Sequence, residues 1–323
     1  MSATATRPLL EVNDLSVDYL TERGAVRAVD HVSLDLARGE FLGIVGESGC
    51  GKSTLLYAIA KLLAPPAQIA SGEICFEGQD MVSMSDAELR HFRWRRYSIV
   101  MQSAMNALNP VMSIGEQLRD AFDAHDQLTG RQVEARSAEL LRLVGIDPVH
   151  LRSYPHQLSG GMRQRAMIAM ALIFTPDLVI MDEPTSALDV VAQRSLMVKI
   201  KQLQREFGFA TIFVTHDMSL ISHFSDRLAV MYAGEVVEVG ETRQVFSDPK
   251  HPYTVGLMRS FPSISGILQP LTGIPGSPPN LAEPPAGCRF HVRCPKVMPR
   301  CRAEHPEFFA RDGDLVRCFL FDA

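Results

Sequence analysis

Residues 46–54 read Gly46-Glu47-Ser48-Gly49-Cys50-Gly51-Lys52-Ser53-Thr54, directly after the apolar run Phe41-Leu42-Gly43-Ile44-Val45 and directly before the helix-compatible stretch Leu55 to Leu63. A strand that runs into a glycine-rich turn and then a helix is the context in which this spacing forms a phosphate-binding loop of the Walker A pattern. The glycines let the backbone curl until its N–H groups and the helix N-terminus converge on phosphate oxygens. Lys52 then supplies a point charge and Ser53 a hydroxyl for a magnesium ion. The phosphate-binding candidates are therefore Gly46, Ser48, Gly49, Gly51, Lys52, Ser53 and Thr54. Taken alone, such a stretch also reads as a plain glycine-rich turn; the flanking strand and helix argue against that.

Outward from the loop, Tyr97 to Met101, Leu178 to Met181 and Thr211 to Thr215 join Phe41 to Val45 as short apolar runs rich in β-branched residues, separated by helix-length segments. That pattern predicts a buried parallel sheet and an α/β core. Alternating runs such as Leu15-Ser-Val-Asp-Tyr19 and Val32-Ser-Leu-Asp-Leu36, within residues 9–36, and a further run at 72–77 predict half-buried strands in an antiparallel edge. Between about residues 85 and 163 the sequence turns charged and helical in period, as in Arg131 to Arg142, which predicts a helical subdomain inserted into the sheet. The expected organisation is a nucleotide-binding domain over residues 1–260, followed by a linker and a small extension over 261–323. Seven prolines and four glycines between Pro262 and Gly287 mark that linker.

The 323 residues are 46% apolar and carry a formal charge of −5, with 37 acidic against 32 basic residues. A large core is therefore expected, and no global positive field draws the chain to nucleic acid or anionic lipid. The longest apolar stretches, such as Ala166 to Phe174, fall short of the roughly 20 residues that cross a bilayer, and no signal-peptide block is read at the N-terminus. The expectation is a protein on the cytoplasmic side that reaches a membrane only through protein partners.

A second chemical signal is Leu178-Val-Ile-Met-Asp182-Glu183, an apolar strand ending in adjacent carboxylates that point different ways. Asp182 suits the magnesium shell and Glu183 suits polarising an attacking water; a solvated strand end is the plainer alternative. Four of the six cysteines, Cys288, Cys294, Cys301 and Cys318, fall within about 30 residues after the linker. Four thiolates suit zinc or an iron–sulfur cluster, though the usual C-x2-C knuckle of zinc sites is missing, and four reduced, partly buried thiols remain an alternative. Cys50, inside the loop, reads as an oxidation-sensitive position or as a small residue at a variable loop site.

With these residues in view, Leu158-Ser159-Gly160-Gly161-Met162-Arg-Gln-Arg165 resembles the signature of ABC ATPases, with Met162 where the commonest form has glutamine. Gln102 resembles the Q-loop glutamine, Ser186-Ala-Leu-Asp189 the D-loop, His216 the switch histidine and Tyr19 the aromatic that stacks on adenine. The resemblance runs in order over residues 9–260. It implies an ABC-type nucleotide-binding fold with a RecA-like parallel core, an antiparallel β subdomain and a helical subdomain. It further implies ATP and Mg2+ as ligands, the latter held by Ser53, Gln102 and Asp182. Glu183 and His216 are implied to be catalytic, and Ser159, Gly160, Gly161 and Asp189 to contact nucleotide across a head-to-tail pair of ATPase subunits. A plain helix N-cap for Ser159, a structural histidine at 216 and a packed strand aromatic at 19 are the alternatives residue by residue.

Asn109 to Gln117, Tyr154 to Arg165 and His251-Pro-Tyr-Thr254 resemble the dipeptide and oligopeptide importer branch. That branch implies a second, related ATPase subunit, two membrane permease subunits, an external substrate-binding protein and a [4Fe–4S] cluster in the cysteine extension, with zinc as the alternative. It implies peptide as cargo, with oligosaccharide and nickel importers sharing the branch. It also implies that residues 102–110 couple to a membrane subunit, and that Arg289, Arg293, Arg300, Arg302 and Arg317 offset a cluster's charge. Soluble ABC ATPases of DNA repair or translation, and exporter ATPases, are the rivals. The first lack support in a chain with one compact ATPase half, and the second in a chain with this extension.

Overall fold

The computed structural model describes residues 7–102, 107–125, 129–186, 188–260 and 273–322. These fall into two compact units, one of Met1–Leu36, Phe41–Val82 and His216–Ala323, the other of Ala37–Glu40 and Ser83–Thr215. The first unit opens with β1 (Leu10–Thr21), β2 (Gly24–Leu36), β3 (Phe41–Val45), α1 (Lys52–Ile59), β4 (Ala67–Phe76) and β5 (Gln79–Asp80). The second unit follows with α2 (Asp86–Phe92), β6 (Tyr97–Val100), α3 (Ile114–Asp123), α4 (Gly130–Leu143), α5 (Gly160–Ala171), β7 (Leu178–Asp182), α6 (Val190–Phe207) and β8 (Ala210–Val214). The chain then completes the first unit with α7 (Met218–Phe224), β9 (Arg227–Tyr232), β10 (Glu235–Glu241), α8 (Thr242–Ser247), α9 (Pro252–Arg259), β11 (Phe309–Arg311) and β12 (Asp314–Val316).

In the first unit β1 lies between β2 and β4, antiparallel to both, with β5 on the far edge of β4. This is the antiparallel edge expected from residues 9–36 and 72–77, with β4 starting earlier, at Ala67. The alternation in β1 predicted one wet face, yet Ser16 and Asp18 are buried as well. Both polar groups have partners: Asp18 takes two bonds from the Arg27 guanidinium at 2.7 and 3.2 Å, and Ser16 Oγ accepts from His31 N at 3.1 Å. Burial of polar side chains with their bonds made is the arrangement that avoids the desolvation penalty.

The same unit holds a second sheet in the order β11-β12-β10-β9-β3, in which β3 and β9 run parallel and the remaining pairs antiparallel. Every residue of β3 is buried, as its uninterrupted apolar run predicts. The β9–β10 hairpin turns on Ala233 and Gly234, both at positive φ. Such φ values at both central residues give the turn whose twist matches paired strands.

The second unit carries β6, β7 and β8 in parallel register, Leu178 opposite Tyr97 and Ala210, and Asp182 opposite Val214. The fully buried strands β7 and β8 bear out the parallel-core reading. Helices α2 and α3 begin at reciprocal Ser–Glu capping boxes, Ser85 with Glu88 and Ser113 with Glu116. The segment Arg131 to Arg142 lies within α4. Among the described residues no helix is long and apolar enough to cross a membrane. The described part of the proline-rich segment, from residue 273, holds no regular structure before the short 3-10 turn at His291–Arg293; residues 261–272 lie outside the described residues.

His251, the N-cap of α9, is buried and accepts through Nδ1 from Tyr253 N at 3.0 Å. Burial depresses its pKa to about 3. An unfolded histidine titrates near 6.5, so between these two values the unfolded chain binds a proton that the native chain excludes, and stability falls as pH falls. The melting temperature of His251→Asn, which keeps a capping side chain, is therefore expected to drop less between about pH 7 and pH 5 than that of the native chain. An equal drop in both would remove His251 as the source.

Candidate functional site

The loop 46–54 joins β3 to α1 with Gly46, Gly49 and Gly51 at positive φ. Two of these glycines are also fixed by sterics. A Cβ on Gly46 would lie 2.2 Å from the Met231 carbonyl oxygen, and one on Gly51 would lie 2.3 Å from that of Ala28. The backbone thus lies directly on β2 and β9, where a side chain has no room. The buried Lys52 ammonium donates to the carbonyls of Gly46 at 2.8 Å and Glu47 at 3.0 Å. A buried ammonium needs acceptors, and these contacts draw the loop around the lysine. Ser48 and Gly49 are exposed at the loop's rim, and Ser53 and Thr54 are half-buried in the first turn of α1. That helix starts at Lys52 rather than at Leu55, so the loop passes into it without a break. Cys50 is buried, and burial raises its thiol pKa despite Lys52 beside it. A protonated, enclosed thiol is a poor target for oxidation, which favours the plainer reading of Cys50.

Tyr19 sits half-buried in β1, its hydroxyl 3.3 Å from Thr54 Oγ1. The first unit therefore brings the aromatic candidate beside the end of the phosphate loop. His216 is exposed at the start of the same unit's third segment. The next residue, Asp217, caps α7 by accepting from Ser219 N and Leu220 N.

In the second unit Asp182 ends β7 fully buried, while Glu183 is partly exposed. Glu183 N still donates to Val214 O, but its φ of 47° turns the chain sharply. That left-handed conformation is sparsely used by residues other than glycine and is held here by the strand pairing behind it. Gln102 Nε2 donates to Glu183 Oε2 at 2.6 Å, so the structure brings these two candidates together. Sequence spacing alone, 81 positions apart, gave no sign of that bond.

Ser159 is exposed and caps α5, its Oγ accepting from Met162 N at 3.3 Å. Gly160 and Gly161 form the first turn of that helix, and a Cβ on Gly161 would meet only Leu188 at 3.6 Å. Asp189 is exposed and caps α6 through its bond from Ala192 N at 2.9 Å. Both residues thus carry the capping role. Residues 103–106 of the expected coupling segment and Ala187 of the expected D-loop lie outside the described residues.

The four clustered cysteines line one small cavity of about 10 Å³ with His251, His291, Phe290 and Phe319. Burial pushes the Cys288 thiol up to about 12 and that of Cys318 up to about 11, and raises Cys294 as well. Among the described residues no three His, Cys, Asp or Glu side chains stand in metal-holding geometry. The donor chemistry fits a soft metal centre; the thiols as placed do not converge on one point. Three of the five arginines expected to balance a cluster are engaged elsewhere. Arg289 bonds Glu235, Asp30 and the Ala233 carbonyl, Arg293 bonds Glu47, and Arg300 bonds Asp322. Each neutralises a carboxylate rather than the thiols.

Sequence reasoning missed Glu47 and Tyr253 as parts of the loop's support. The Glu47 N–H donates to the Tyr253 hydroxyl at 2.9 Å, across 206 positions. His251-Pro-Tyr-Thr254 was noticed only as a family mark.

Residues 29–186 match the family model described as ABC transporter, and residues 237–301 match that described as Oligopeptide/dipeptide transporter, C-terminal region. The chain is 41% identical to the dipeptide transport ATP-binding protein DppD of Caldanaerobacter subterraneus, over 97% of each chain. It is 43% identical to the dipeptide transport ATP-binding protein DppD of Bacillus subtilis, over 97% of this chain and 95% of that one. Its fold matches a dimeric post-hydrolysis state of the ATP-binding cassette MJ0796 bound to ADP and Pi, with a TM-score of 0.66 at 28% identity, covering 72% of this chain and 99% of that one.

Proposed function

The chain belongs to the ABC transporter family, among the dipeptide and oligopeptide transport ATP-binding proteins, and from that premise we propose that it is the ATP-hydrolysing subunit of a peptide importer. The observation that carries the cargo class is the match of residues 237–301 to the C-terminal region of oligopeptide and dipeptide transporters, since the catalytic motifs are common to the whole family. We infer the organisation read above: an ATPase domain to about residue 260, with its helical subdomain at about 85–163, and the four-cysteine extension beyond.

In this reading the loop Gly46 to Thr54 wraps the phosphates, Lys52 carries the charge that meets them, and the Tyr19 ring stacks on adenine. Ser53, Gln102 and Asp182 would hold magnesium, which when bound with the nucleotide neutralises phosphate charge. The fully buried Asp182 carboxylate fits that role, because a buried carboxylate is stabilised by a cation. Glu183 orients the attacking water and accepts its proton, and Gln102, bonded to Glu183, fixes the carboxylate's direction. His216 donates to the γ-phosphate. Ser159, Gly160, Gly161 and Asp189 serve the nucleotide held by a second, related ATPase subunit, the open N-terminus of α5 facing its phosphate. Hydrolysis opens that pair, and the motion passes to two permease subunits supplied by an external binding protein. The subunit works peripherally on the cytoplasmic face.

The test is uptake of labelled di- and oligopeptides by cells carrying the native chain or Glu183→Gln. The expected outcome is loss of at least ~90% of uptake, in line with removal of a general base worth ~10²–10⁴-fold. Unchanged peptide uptake in the variant would overturn the peptide assignment and return the cargo to oligosaccharide or nickel.

We further propose that Cys288, Cys294, Cys301 and Cys318 hold a [4Fe–4S] cluster. The lining of one small cavity by all four cysteines supports this, and their spacing lacks the knuckle usual for zinc. Iron and acid-labile sulfide, measured on chain purified without air, are expected at about four each per chain and absent from Cys301→Ser. Zinc at about one per chain would select the alternative, and neither metal would leave four reduced thiols.

A further inference from the structure

Glu47, the second residue of the phosphate loop, is held in three directions. Its N–H donates to the Tyr253 hydroxyl at 2.9 Å, its carbonyl accepts from Lys52 Nζ at 3.0 Å, and its carboxylate accepts both arms of the Arg293 guanidinium, at 2.7 and 2.9 Å. Arg293 lies 246 positions away in the extension, next to Cys294. Its side chain is only 5% exposed against 26% for that of Glu47, so the pair is largely shielded from water and salt. The remaining donors are also used: Nε bonds the Pro275 carbonyl at 2.8 Å, Nη1 reaches the Tyr232 hydroxyl at 3.3 Å, and Nη2 reaches the Ile274 carbonyl at 3.2 Å. All five N–H groups of the guanidinium thus have acceptors, which fixes its plane and, through two parallel bonds, the plane of the Glu47 carboxylate.

This arrangement bears on nucleotide because of where Glu47 stands. The orientation of its peptide sets the path of residues 48–52, whose N–H groups are the ones that meet phosphate. A glutamate free to rotate there would place a negative charge at a loop that receives polyanionic substrate. Paired to Arg293 in two-point geometry, the same carboxylate is neutralised and turned into an anchor. The Tyr232–Tyr253 and Tyr232–Phe290 ring contacts, with centroids 4.6 and 5.2 Å apart, give the anchor a packed base that includes the extension itself.

We propose that Arg293 is a positioning residue for ATP: the C-terminal extension clamps the phosphate loop through the Arg293–Glu47 pair and sets its affinity for nucleotide. This rests on reading residues 46–54 as the ATP phosphate loop. The test is equilibrium binding of Mg-ATP to the full-length chain, with melting temperature measured alongside, for the native chain, Arg293→Met, Arg293→Lys, Glu47→Gln and the double variant Arg293→Met with Glu47→Gln. Loss of a shielded charge pair is expected to raise the dissociation constant about tenfold in Arg293→Met. Arg293→Lys, which keeps the charge but not the fork, falls between that variant and native. The double variant binds no more weakly than the weaker single variant, because both substitutions remove the same pair.

Nucleotide binding by Arg293→Met within about twofold of native would overturn the proposal, as would effects of Arg293→Met and Glu47→Gln that multiply in the double variant. A lower melting temperature with native affinity would assign the pair to stability alone, and also overturns it. Should Arg293→Met fail to fold, Arg293→Lys and Glu47→Gln decide the matter by the same readout. A native chain that does not bind Mg-ATP would instead remove the phosphate-loop reading, an outcome distinct from all of these.

Discussion

A lysine ammonium buried under a loop of nine residues is the constraint on which much else in the first unit depends. Lys52 is 5% exposed, and its bonds to the Gly46 and Glu47 carbonyls hold the curl of the backbone that we propose as the phosphate cradle. A buried cation is tolerated only when such acceptors surround it. The curl in turn needs a floor without side chains, provided where Gly46 rests on the Met231 carbonyl and Gly51 on that of Ala28. The floor is built from β2 and β9, so strands far apart in sequence exist in this register partly to carry one loop.

The catalytic core was legible because its physics is local. The strand, the glycines and the lysine of residues 41–54 lie in one continuous stretch, and the apolar runs of β7 and β8 declare full burial without any long-range information. What sequence could not reveal depends on partners at a distance. The hairpin of β9 and β10 went unread because its turn, Ala233-Gly234, lacks the usual Asn-Gly signal. An alanine in the left-handed region is instead accompanied by a bond from Arg289 to its carbonyl, 56 positions on. The buried polar face of β1 was hidden for the same reason, since only the pairing of Asp18 with Arg27 across the sheet makes its burial tolerable. Ser159 and Asp189 show the converse: their capping bonds, accepted from Met162 N and Ala192 N, are local and follow from residue type at a helix start.

The extension changes meaning once its contacts are seen. As sequence it is a proline-rich tether and four cysteines. In the structure β12 pairs with β10 and extends the sheet that contains β3, while Arg289 and Arg293 reach the turn and the loop at that sheet's functional end. Arginines that composition alone would assign to a metal centre are bound to carboxylates of the ATPase core. The thiol cavity and the phosphate loop are thereby parts of one packed unit, joined by the aromatic rings of Tyr232, Tyr253 and Phe290.

The central claim, that the backbone of residues 48–54 is what receives the phosphates, is tested most directly by amide hydrogen exchange of the full-length chain with and without Mg-ATP. The account predicts that protection of Gly49 to Thr54 rises on nucleotide addition, while α8 exchanges as before, and that Lys52→Ala abolishes the rise. Exchange at Gly49 to Thr54 that is unchanged by Mg-ATP in the native chain would contradict it.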